Sequence, residues 1–229
     1  MTVIAHNLAA VLHRIRTTCQ RCNRDPQTVR LVAVSKLHPA ELVAEAATAG
    51  QTLFGENYVQ ELCDKAGRIT TPVQWHLIGH LQSNKVKYLP GIVSMIHTVD
   101  RYSLAQEINR QWHDKTGVPC DILVQVNVSG ESTKSGTTAD EAVALVRQIV
   151  RLPFVRVRGL MTMPPFFDDP EGARPYFREL RQLAEQIRDA AIEGVAMEEL
   201  SMGMSGDFEV AIEEGATLVR VGTAIFGER

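Results

Sequence analysis

With 229 residues, 45% of them apolar and 22% charged, the chain is long enough for one large core and has the make-up of an ordinary globular protein. A net charge of -3 gives no field that would attract nucleic acid or an anionic membrane, and no apolar run approaches the ~20 residues a membrane span requires. The opening stretch, Met1 to Arg16, interrupts its apolar residues with His6, Asn7, His13 and Arg14, which marks an amphipathic helix and not a secretory leader, so the expected compartment is the cytoplasm.

In chain order, Ile4, Leu8, Val11, Leu12 and Ile15 predict that first helix. Cys19 and Cys22 form a C-x-x-C near its end. A zinc site would need a second pair or nearby histidines, so no metal is expected; these are read as reduced thiols, with a regulatory disulfide as the alternative. Short β-branched runs follow at Leu31–Ser35, Thr52–Phe54, Val73–Ile78, Ser94–Val99, Asp121–Val128, Val155–Met161, Glu199–Met202 and Thr217–Val221. Helical patterns fall between them. Pro39 starts one that Gly50 stops, and Asn57 with Gln60 has capping-box spacing for the next, with Gly67 as its stop. Asn84–Tyr88 gives the weakest helical pattern. Leu104, Ile108 and Trp112 form an apolar face, Thr138 and Glu141 a capping box, and Phe177, Leu180, Ala184, Ile187 and Ala191 the longest stripe. Met163–Pro175 reads as a loop.

Strand–helix alternation argues for a parallel sheet, and eight strands in this length argue for a closed (β/α)8 TIM barrel, one domain over residues 1–229 with an extra N-terminal helix. An open doubly wound sheet is the alternative, but Ser35-Lys36-Leu37-His38-Pro39 stands where its Gly-rich turn would be. No linker, repeat or low-complexity tract divides the chain.

Active sites of such barrels form where strands end. Lys36 ends the first strand on the same face as Val32 and Val34. If that face is the lumen, an amine sits above apolar neighbours, where desolvation lowers its pKa and frees it to attack a carbonyl; the other reading is a solvated lysine beyond a strand. Ser205, in Met202-Gly203-Met204-Ser205-Gly206-Asp207, and Gly222-Thr223, after the last strand, offer turns whose backbone N–H groups bind phosphate, or turns that simply need glycine. Strand eight would close beside strand one, placing the amine next to the phosphate-type turns. That pairing is what pyridoxal 5′-phosphate (PLP) requires.

Seven ordered blocks then carry a resemblance. They are Val34-Ser35-Lys36, the run from Phe54 to Glu61, the run from Trp75 to Lys85, Gln125-Val126-Asn127-Val128, Glu131 with Lys134-Ser135-Gly136, Gly159-Leu160-Met161, and the two C-terminal segments around Ser205 and Gly222. The sequence resembles the pyridoxal phosphate homeostasis protein family, whose barrel is similar to the N-terminal domain of alanine racemase, a fold-type III PLP-binding barrel. The resemblance implies that Lys36 carries PLP as a Schiff base, that Ser205, Gly222 and Thr223 cradle the phosphate, that Arg220 partners the pyridine nitrogen, and that Asn57 borders the cofactor. Met161 and His80 are taken as wall residues. His38 stands where members often carry a second lysine. The implied function is holding and supplying PLP without substrate turnover, with no catalytic residues, PLP-dependent apoenzymes as candidate recipients, and a monomeric state.

Two enzymes are the alternatives. A racemase needs a base on each face of the substrate carbon. The chain ends shortly after Gly222, where a second domain would have to begin, and none of its four tyrosines lies in a suggestive block. A class I aldolase would use a barrel lysine and a phosphate site, but would leave Arg220 without a task.

Overall fold

A computed structural model describes residues 2–131 and 135–228. Met1 and Lys134, both singled out from the sequence, lie outside the described residues. Eight parallel strands close on themselves in sequence order: β1 (Arg30–Val34), β2 (Leu53–Glu56), β3 (Gln74–Leu77), β4 (Val93–Val99), β5 (Cys120–Gln125), β6 (Val155–Met161), β7 (Glu199–Ser201) and β8 (Leu218–Val221). Around them run α1 (Val3–Arg21), α2 (Ala40–Thr48), α3 (Val59–Arg68), α4 (Tyr102–Lys115), α5 (Ala139–Ile149), α6 (Arg174–Asp189), α7 (Phe208–Glu213) and the short α8 (Thr223–Phe226). The barrel and the extra N-terminal helix are as the sequence led one to expect.

The alternation of each strand divides the core in two. Outward residues such as Leu31, Phe54, Ile96 and Val219 pack against the helices, while Val32, Leu53, Met95, Leu123, Met161 and Leu218 form a separate cluster inside the barrel. Val32 is therefore a lumen residue, and the face shared by Val32 and Val34 points inward. Arg30 to Ala33 of β1 pair with Leu218 to Val221 of β8, which sets the turn after β1 beside the turn after β8. Gly159 permits close approach of β6 and β7, since a Cβ there would lie 1.8 Å from the Glu199 carbonyl oxygen. Helix α1 packs on α2, α7 and α8 across the closing seam, with Asn7 donating to the Ile225 carbonyl at 3.0 Å.

Several local expectations are corrected. Lys36 lies two residues beyond the end of β1, in a turn. Asn57 caps no helix: α3 begins at Val59 after Tyr58, whose side chain makes no capping hydrogen bond, so Gln60 falls too early to complete a box. Gly67 lies within α3, which runs on to Arg68 before Ile69 turns extended. The stretch from Asn84 to Tyr88 belongs to a 3₁₀ helix, Ser83–Tyr88, and the fifth strand stops at Gln125, beyond which Val126 forms one isolated bridge to Thr137. Residues 163–175 are not all loop, because a 3₁₀ turn at Pro170–Ala173 leads into α6, where Pro175 occupies the first turn, a position that needs no N–H. Ala191 lies past the end of α6 with φ 46°. Thr138 caps α5, its Oγ1 accepting from Glu141 N at 3.3 Å, which is one of the two bonds of the expected box. All four cysteines are unpaired thiols, Cys19 and Cys22 at the end of α1 among them.

Candidate functional site

A cavity of about 280 Å³, close to the lower end of the ~300–1,000 Å³ range of small-ligand sites, opens where the strands end. Its wall is drawn from residues that follow different strands: Lys36 after β1, Asn57 after β2, Ser205 after β7, Gly222 and Thr223 after β8, and Arg220 from β8 itself. All six candidate residues thus meet at one place. Of the two residues taken as wall, Met161 is fully buried in the lumen cluster and His80 is exposed outside the cavity. Gly79 lets the segment after β2 reach the wall, because a Cβ at Gly79 would stand 2.3 Å from the Asn57 carbonyl oxygen.

Val34 and Ile78 form apolar wall beside Lys36. The turn of Lys36 is closed by His38 N donating to the Ser35 carbonyl at 3.1 Å, with Leu37 in the left-handed region at φ 63°. Across the seam, the Ser205 hydroxyl accepts from Gly222 N at 3.3 Å and from Ala224 N at 3.5 Å. Both are long against the ~2.9–3.0 Å typical of N–H···O bonds.

Arg220 is buried in the lumen at the cavity floor. It donates to Ser201 Oγ at 2.5 Å and to the Thr162 carbonyl at 2.8 Å, both neutral acceptors. Burial pushes its pKa down to about 10, with Asp207 pulling it back up. It remains a cation near neutrality and can only donate. Asp207 also lines the cavity, and its carboxylate accepts from Met204 N at 2.6 Å; burial raises its pKa more than that bond and Arg220 lower it.

Beyond Ser201 the network continues in a way the sequence did not reveal. His97 Nδ1 lies 2.9 Å from Ser201 Oγ, and His97 Nε2 lies 2.8 Å from His76 Nδ1. Arg220 also donates to Ser201, so the serine hydroxyl joins the guanidinium to His97. Burial, assisted by Arg30, holds His76 at about 3, and burial with His76, Arg220 and Arg30 holds His97 well below its usual value. Both rings are neutral in the folded state. Their folded pKa values lie below the unfolded ~6.5, so acidification protonates the unfolded chain first and stability falls as the pH drops below ~6.5. Stability is expected to fall steadily between pH ~6.5 and ~5, where the unfolded histidines gain protons that the buried rings do not. Urea unfolding of the parent and of His97→Gln across that interval checks this, and equal pH slopes in the two proteins would show that His97 is not held neutral.

The connection between β6 and α6 also contributes more than a link. Met163, Phe166, Phe167, Pro170 and Ala173 form much of the apolar side of the cavity. Phe166 is 84% exposed at the mouth. Its aromatic pair and prolines were a signal, but nothing local said that they would fold over the strand ends.

A family model described as the alanine racemase N-terminal domain matches residues 6–229. The pyridoxal phosphate homeostasis protein of Aquifex aeolicus is 46% identical over 97% of this chain and 96% of its own. The chain belongs to the pyridoxal phosphate homeostasis protein family. Among solved structures, PipY of Synechococcus elongatus, determined with PLP bound, superposes with a TM-score of 0.84 at 34% identity, covering 98% of this chain and all of its own. The family's barrel extends to alanine racemase as a fold: the Clostridium difficile enzyme superposes with a TM-score of 0.72 at 15% identity, covering 98% of this chain and 57% of its own.

Proposed function

We propose that this family member binds PLP through a Schiff base on Lys36 and serves intracellular PLP homeostasis without turning over a substrate. The observation that carries the reading is the meeting, across the β1–β8 seam, of the Lys36 turn with the Ser205 and Gly222–Thr223 donors in a single cavity with Arg220 at its floor. PLP, when bound, supplies an aldehyde that an amine captures reversibly with loss of water. The two homologues described by PLP in their names or bound state support it.

In this reading the residues divide the work by chemistry. Ser205 and the N–H groups of Gly222 and Thr223 hold the phosphate with neutral donors. Arg220 faces the ring nitrogen, and Asn57 borders the cofactor. A donor-only cation at the ring nitrogen keeps that nitrogen unprotonated and withholds the electron demand that amino-acid chemistry needs. The titratable groups on the described wall are Lys36, Asp207 and Arg220, and Asp207 is engaged with Met204. We read the chain as one PLP-binding unit that works as a cytoplasmic monomer and passes its cofactor to PLP-dependent apoenzymes.

The phosphate assignment is tested by titrating the parent and Ser205→Ala with PLP and with unphosphorylated pyridoxal. A hydrogen bond to a charged group is worth ~1.5–3 kcal/mol, so PLP affinity is expected to fall about tenfold while that of pyridoxal holds. Equal losses for both ligands would move Ser205 away from the phosphate.

A further inference from the structure

The turn that presents Lys36 is held by a buried ionic cluster that lies outside the cavity wall. Lys65, on α3, is 2% exposed. Its Nζ donates to Glu56 Oε1 at 2.6 Å, to Glu61 Oε1 at 2.7 Å and to the Ser35 carbonyl at 2.6 Å. Ser35 Oγ donates to the same Glu56 oxygen at 2.7 Å, and Leu37 N donates to Glu61 Oε1 at 2.6 Å. The residues on both sides of Lys36 are therefore tied to one ammonium and its two carboxylates.

This is more than general packing. Leu37 takes φ 63°, a backbone region that disfavours side chains other than those of glycine and asparagine, and its own side chain is 58% exposed. Burial of the leucine does not hold that conformation. The bond from its N–H to Glu61 does, together with the closing bond of the turn at Ser35. Glu56 keeps its second oxygen buried with no hydrogen-bond partner among the described residues, a cost that packing alone does not explain.

We propose that Lys65, with Glu56 and Glu61, is a positioning residue for Lys36: the cluster clamps the strained turn so that the Lys36 amine is aimed into the cavity before any ligand arrives. The proposal rests on Lys36 being the amine that captures PLP. For that capture the neutral amine bonds the aldehyde carbon, C=N replaces C=O, and the aldehyde oxygen leaves as water with the two hydrogens given up by the nitrogen, with no change of oxidation state. A pre-aimed amine favours the covalent linkage without altering how the phosphate is held.

The test uses Lys65→Met, Lys65→Arg and Glu61→Gln in the full chain, with two ligands and one ligand-free readout. PLP is compared with pyridoxine 5′-phosphate, which has the ring and phosphate but no aldehyde. Lys65→Met and Glu61→Gln are expected to weaken PLP about tenfold while pyridoxine 5′-phosphate binds as in the parent, with partial recovery in Lys65→Arg. Amide exchange at Leu37 in the ligand-free protein is expected to speed up by a similar, roughly tenfold factor. Should Lys65→Met not fold, Glu61→Gln, at the partly exposed end of the cluster, carries the comparison. Parallel losses for both ligands would make the cluster merely structural, and unchanged PLP affinity with faster Leu37 exchange would separate the clamp from the amine. Either result overturns the proposal. If the parent itself forms no adduct on Lys36, the PLP reading fails, while Leu37 exchange still reports whether the clamp exists.

Discussion

Lys36→Ala is expected to abolish the borohydride-stable phosphopyridoxyl adduct completely. Lys36 follows the inward face of β1, and its turn borders the donors after β8. Loss of the covalent linkage is expected to weaken PLP by roughly a hundredfold, or ~2.7 kcal/mol, leaving the phosphate contacts to hold what remains. Lys36→Arg separates chemistry from charge: a guanidinium stays protonated and cannot form the linkage, so it should behave as the alanine does. Absorption spectra before and after reduction, followed by peptide mass mapping, decide the matter. A label on Lys85, in the 3₁₀ helix after β3, would refute the assignment.

The second large effect is expected at Arg220. In the parent, α-deuterium exchange from L-amino acids should stay below ~1 s⁻¹, the low end of enzyme turnover. On the proposed reading, in which Arg220 faces the ring nitrogen, Arg220→Glu replaces a donor with an acceptor there. A neighbouring opposite charge shifts a pKa by ~1–3 units, so the nitrogen should gain a proton near neutrality, with a moved absorption band and α-exchange at least about tenfold faster. The substitution also removes the donor that now serves Ser201 and the Thr162 carbonyl, and it breaks the link to His97. Thermal unfolding of the ligand-free variant therefore has to accompany the spectra. An unchanged band together with badly weakened PLP binding would make Arg220 a phosphate ligand instead. Fast exchange in the parent would make this protein an enzyme.

Much of this was written in local pattern. Alternation in β1 placed Val32 and Val34 on one face, the strand–helix succession implied closure, and the glycine turns around Ser205 and Gly222 marked segments that line the cavity. Those features are periodic or depend on one residue's backbone freedom, so a linear reading reaches them. Partnerships between distant strands are different. His76 on β3 and His97 on β4 read as polar interruptions of apolar runs, and only barrel closure links His76 through His97 to Ser201 of β7 and on to Arg220 of β8. Glu61 and Lys65 have the spacing of a solvated helix pair, yet Lys65 is buried because α3 packs over β2 and the Lys36 turn. Asn57 looked like a cap and serves instead as wall, since the loop after β2 leans on Gly79. Sequence determined which residues could do the chemistry. Tertiary structure decided which of them meet, because burial and charge pairing are set by neighbours that the chain supplies from tens of residues away.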